Sequence, residues 1–149
     1  MAHAEADDSK SKWAIHDNFQ VYRYSDALLS LAEALNEQNK SSEALPYLNQ
    51  VRSRAGLPAV TETAQTLLRD IIAHERRVEL AFENHRWFDL LRTGKAIEVM
   101  TANGEYIKEV HGSQGYLPPD CYHVTTERLL YPIPYRETQI ANLEQNPGY

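Results

Sequence analysis

The chain has 149 residues, 42% of them hydrophobic and 24% charged, with 15 basic residues against 21 acidic ones. That is one domain's length with enough apolar matter for a core, which excludes a disordered, collagen-like or low-complexity polymer. A formal charge of −6 speaks against a sequence-independent grip on DNA or RNA, because that grip needs Lys and Arg on phosphates.

Residues 1–20 hold no apolar run resembling a signal-peptide core, and no later stretch approaches the ~20 apolar residues of a membrane-spanning helix. They read as a solvated lead-in or an expression scar. From Val21 the apolar positions Tyr24, Leu28, Leu31, Ala32 and Leu35 follow one helix face. Polar residues from Asn36 to Ser42 break the pattern. Ser41 or Ser42 suits an N-cap, with Pro46 expected in the first turn of the helix that follows. That helix carries Ala44, Leu45, Leu48, Val51 and Ala55, and Gly56 with Pro58 stops it.

The hairpin fits one tetratricopeptide unit, whose pattern asks for apolar residues at positions 4, 7, 8, 11, 20, 24 and 27 of 34. Leu28 at position 4 puts Leu31, Ala32, Leu35, Ala44, Leu48 and Val51 on the other six. An ordinary helical hairpin is the other reading, and the repeat does not recur in register. Next comes a charged segment from Thr66 to about Ala102. Leu68, Ile71, Ile72, Val78 and Phe82 are expected on its inner face, and Trp87, Phe88 and Leu91 on that of a helix from about His85. After Ala102 periodicity fades. Residues 103–149 hold six of nine tyrosines and five of seven prolines, which suggests an irregular strap with a short helix from Tyr135 to Leu143.

Catalytic signatures are absent. His74-Glu75 begins like a zinc-protease helix, but Val78 stands where the second histidine is required. No nucleophile elbow, phosphate loop or metal-ligand spacing occurs, so neither an enzyme, a metal nor a cofactor is expected. Cys121 has no partner cysteine and reads as an inert thiol. Arg76–Glu79, Glu83–Arg86, Arg86–Asp89 and Asp89–Arg92 are opposite in sign and three residues apart, so Glu79, Glu83, Arg86, Asp89 and Arg92, interleaved with Trp87, Phe88 and Leu90, stand within reach of a partner. They are expected to form a partly buried structural charge network, with a ligand site as the other reading.

Four stretches carry a family likeness. Arg23-Tyr24-Ser25-Asp26-Ala27-Leu28-Leu29 running into Ala32-Glu33-Ala34-Leu35-Asn36-Glu37 is the first, and residues 48–58 (LNQVRSRAGLP) are the second. The third is residues 75–94, ERRVELAFENHRWFDLLRTG. The fourth joins Pro132-Ile133-Pro134 to Gln145-Asn146-Pro147-Gly148-Tyr149. In wording and order they resemble the carboxy-terminal part of the SusD/RagB family. Ser42 and Asn84 stand where glycine is common in that family, and Thr93 where Trp is frequent.

The resemblance implies an outer-membrane lipoprotein of Bacteroidetes-type bacteria, exposed at the extracellular face. Such a protein captures glycans or peptides and works with a SusC-like TonB-dependent transporter. The expected fold is all-α, with tetratricopeptide-like hairpins and a long irregular Pro/Tyr-rich carboxy-terminal segment. Residues 21–149 are expected to be a helical domain from a longer protein, with the signal peptide, lipid anchor and main glycan platform elsewhere. Ligand candidates here are limited to Tyr116, Tyr122 and Tyr131. The isolated chain is expected to self-associate through uncovered apolar surface and to show no glycan affinity. A free-standing helical-repeat adaptor for a protein partner is the alternative.

Overall fold

The computed structural model describes residues 21–112 and 121–149. Six α-helices and no strands occur among the described residues, so the all-α expectation holds. The chain divides into two compact units between Glu83 and Asn84.

In the first unit, α1 (Tyr24–Glu37) buries Ser25, Asp26, Leu28, Leu29, Ala32 and Asn36. This face is turned from the expected one. Leu29 is fully buried, whereas Leu31 is 41% exposed and Val21 and Tyr24 face solvent. The turn to α2 (Ser41–Arg54) runs through Asn39 at φ 61°, a left-handed conformation that Asn tolerates. Ser41 makes no cap bond. Its hydroxyl donates to Asn36 Oδ1 at 2.8 Å, while Asn36 Nδ2 donates to the Gln65 carbonyl and Gln65 Nε2 to the Asn36 carbonyl. These bonds satisfy a fully buried amide, which would be costly unpaired. Pro46 lies inside α2, one turn further in than expected, where it forfeits a backbone bond.

Gly56 ends α2 at φ +72°, and the Leu57 amide closes back on the Arg52 carbonyl at 2.9 Å. Asn49 then pins the connection by bonding both backbone groups of Val60. The third helix, α3 (Gln65–Glu79), buries Leu68, Ile72, Glu75 and Arg76. Val78 is exposed and Phe82 fully so, contrary to expectation. The helix stops at Glu79, and Phe82 and Asn84 adopt positive φ, so the helical register no longer aims Phe82 inward. Leu80 is buried in that turn.

The core joins Leu28, Leu29, Ala32, Ala44, Leu48, Val51, Leu68 and Ile72. Ala32 and Ala44, the two small positions of the repeat pattern, are both fully buried. Without longer side chains there, α1 and α2 can approach closely.

In the second unit, α4 (Arg86–Arg92) buries Leu90 and leaves Phe88 exposed, with Trp87 and Leu91 half-buried. Gly94 turns the chain at φ +69° into α5 (Ala96–His111). This helix continues past Ala102, where sequence periodicity fades, because it buries only Ala96 and Gly104 and so needs no apolar stripe. A 3-10 turn at Glu127–Leu129 and α6 (Tyr135–Ala141) follow. The two halves of the fourth motif meet in space. Gln145 bonds both backbone groups of Ile133 at 2.7 and 2.8 Å, and Asn146 Nδ2 donates to the Tyr131 carbonyl at 2.7 Å. Tyr149 donates its hydroxyl to the Leu130 carbonyl, and Arg128 lies 4.3 Å from its ring centroid.

Candidate functional site

The most densely charged place in the first unit lies where the start of α1 meets the ends of α2 and α3. Arg23, just before α1, donates Nε to both Glu83 carboxylate oxygens at 2.9 and 2.8 Å and Nη1 to Glu79 Oε1 at 2.5 Å. It also bonds the Ser25 hydroxyl and the Glu79 carbonyl. Arg54 grips Glu79 from the other side, Nη2 donating at 2.7 and 2.8 Å. Further pairs tie the helices at depth: Arg52 to Glu75 at 2.6 Å and Arg76 to Asp26 at 2.9 Å. Arg76 Nη1 also donates to Ser30.

Bonding to Glu83, and then to Glu79, raises the Arg23 pKa against the opposing effect of burial. Burial alone would raise the Glu79 pKa. Bonds from Arg23, Arg54 and Ser25 outweigh it and hold the carboxyl below its ordinary 4.5. A carboxylate lowered on folding stabilises the fold above its unfolded pKa and releases that stability as pH falls through the folded one. The urea midpoint should therefore drop as pH falls below the ordinary 4.5 and through the lower folded pKa of Glu79, and Glu79→Gln should flatten that drop. Identical acid profiles for the two proteins would refute this role for Glu79.

Of the expected charge network, Asp89 and Arg92 pair at 2.8 Å within the second unit. Glu79 and Glu83 instead take partners from distant sequence, Arg23 above all. Arg86 is also held by a polar or electrostatic interaction. Sequence spacing missed Arg23, Asp26, Arg52, Arg54 and Glu75, and it put Arg76 on Glu79 where the fold pairs it with Asp26. A signal was present: all six lie inside the first three motifs, beside residues of the core. Glu75, the acid of the discarded zinc pattern, is buried against Arg52, while His74 is exposed.

The tyrosine candidates separate. Tyr116 lies outside the described residues. Tyr122, half-buried at φ 65°, packs on Gly104 so closely that a Cβ there would sit 2.6 Å from its own. It borders a small cavity of about 150 Å³ with Thr101, Glu105, Lys108, Cys121 and His123. Tyr131 is not among those residues, and its ring is exposed. A larger cleft of about 330 Å³ opens in the first unit between the start of α1 and the end of α2.

Comparison with known proteins agrees with this architecture. SusD-like protein P38 of Formosa agariphila is 35% identical over 143 residues, covering 89% of this chain and 25% of its own length. SusD-like protein P2 of the same organism is 38% identical over 143 residues, covering 89% and 26%. The chain thus spans about a quarter of the length of these relatives. Among solved structures, a SusD-like protein from Bacteroides fragilis superposes with a TM-score of 0.68 at 28% identity, over 89% of this chain and 26% of that one. Surface glycan-binding protein A from Bacteroides thetaiotaomicron gives 0.64 at 33%, over 88% and 25%. The sequence model of the SusD family matches residues 1–149, and with the helical hairpin and its motif-joining ion pairs this chain belongs to that family.

Proposed function

We propose that this chain is the carboxy-terminal helical scaffold of a cell-surface binding protein that captures a glycan and passes it to a SusC-like TonB-dependent transporter. The observation that carries this reading is its likeness to surface glycan-binding protein A, at 33% identity and a TM-score of 0.64. In this role the protein is a binder and not an enzyme. Recognition comes from shape, ring stacking and hydrogen bonds, with no bond made or broken in the ligand. The place of action is the extracellular face of the outer membrane. No helix among the described residues is long and apolar enough to cross a membrane.

The charge clasp serves the scaffold. By joining the ends of α1, α2 and α3 it sets the helix geometry on which ligand-bearing loops of a longer protein would stand. The decisive experiment is affinity capture of the full-length protein from its native membranes, together with calorimetry against an oligosaccharide panel. Recovery of a TonB-dependent transporter and binding of a defined glycan are expected. A soluble protein partner recovered in place of the transporter, with no sugar bound, would replace this reading with a peptide-gripping adaptor.

A further inference from the structure

We propose that the cleft between the start of α1 and the end of α2 is a subsite for a neutral sugar residue, a proposal that rests on the glycan-binding reading above. Its volume of about 330 Å³ lies at the lower end of the ~300–1,000 Å³ of small-molecule sites. Buried Leu28 and Val51 form an apolar floor, and Tyr24, Gln50 and Arg54 line the cleft above it. Such a mixture, mostly apolar with a few polar groups, is the usual make-up of a ligand pocket.

Three features select the ligand. Tyr24 is 69% exposed although it opens a helix in the family's first motif, so its ring is available for stacking by the C–H face of a pyranose. Arg54 commits Nη2 to Glu79 and, among the described residues, leaves Nε and Nη1 without a protein acceptor. Gln50 adds an amide that both donates and accepts, as ring hydroxyls require. Charge is balanced at the site, because Arg23 and Arg54 are matched by Glu79 and Glu83. A neutral polyhydroxylated ring suits that balance better than an acidic sugar or a charged peptide end. The aromatic contact is then Tyr24, not the carboxy-terminal tyrosines, and the isolated chain acquires the glycan affinity that its sequence did not suggest.

The test is titration of the 149-residue protein with neutral gluco-, xylo- and manno-oligosaccharides, followed by calorimetry and by amide NMR shifts. One sugar should bind, with shifts concentrated at residues 24–28 and 50–54. Tyr24→Ala should weaken binding about tenfold, Tyr24→Phe should keep most of it, and Leu31→Ala should leave it unchanged. Far-UV spectra confirm that each variant is folded. Binding unaffected by Tyr24→Ala, with shifts elsewhere, overturns the cleft and leaves the glycan reading intact. No binding by this chain alongside binding by the full-length protein does the same. No binding by either defeats both, and a preference for uronates or peptides over neutral sugars refutes the ligand class.

Discussion

Replacing Arg76 with alanine should lower the stability of the first unit by roughly 3–5 kcal/mol, the usual result of breaking a buried ion pair. Both partners are removed from water: the side chains of Arg76 and Asp26 are 7% and 4% exposed. The penalty comes from what stays behind. Without the guanidinium, the Asp26 carboxylate sits in the interface between α1 and α3 with its counter-charge gone, and Ser30 loses a donor. The double variant Asp26→Ala/Arg76→Ala removes the stranded charge as well. It should recover a large part of the loss, giving a coupling energy well above the few tenths expected of independent sites. Urea unfolding of the wild type, both single variants and the double variant measures it. Additive effects, or a loss near the ~0–1 kcal/mol of a surface pair, would show that this contact is solvated.

Leu48→Ala should cost about 2–5 kcal/mol, and Leu31→Ala less than about 1 kcal/mol. The two leucines hold equivalent standing in the repeat pattern, so sequence alone ranks them together. In the fold Leu48 is fully buried against both flanking helices' core residues, and its truncation opens a cavity that close-packed neighbours fill only in part. Leu31 is 41% exposed, so truncation removes little buried area. Similar losses for both variants would mean that α1 is rotated about its axis relative to the arrangement described here.

The closing motifs offer a smaller but related lesson. Pro132-Ile133-Pro134 and Gln145-Asn146 are ten or more residues apart and read as separate turn-rich stretches. In space the Gln145 amide takes the place of a neighbouring strand for Ile133. A side chain thereby satisfies backbone groups that an irregular segment would otherwise leave to water.

Sequence by itself determined the helical hairpin, its stop at Gly56, the small residues where α1 and α2 cross, and the family. Each of these depends on spacing within a few turns or on motifs whose wording is specific. It also located α6 to within two residues, since Pro134 leads straight into its first turn. Only the tertiary structure decided the remainder. Alternating charges from Glu75 to Arg92 suggested pairs three residues apart, but Glu75, Glu79 and Glu83 take arginines 23 to 60 residues away. Charge is not directional along a sequence, and a carboxylate settles with the guanidinium that the packed helices place nearest and shield from water. The inward turn of Leu29 over Leu31, the outward turn of Phe82, and the cleft beside Tyr24 have the same origin. A helix rotates to bury what its neighbours can cover, and the neighbours are chosen by the fold.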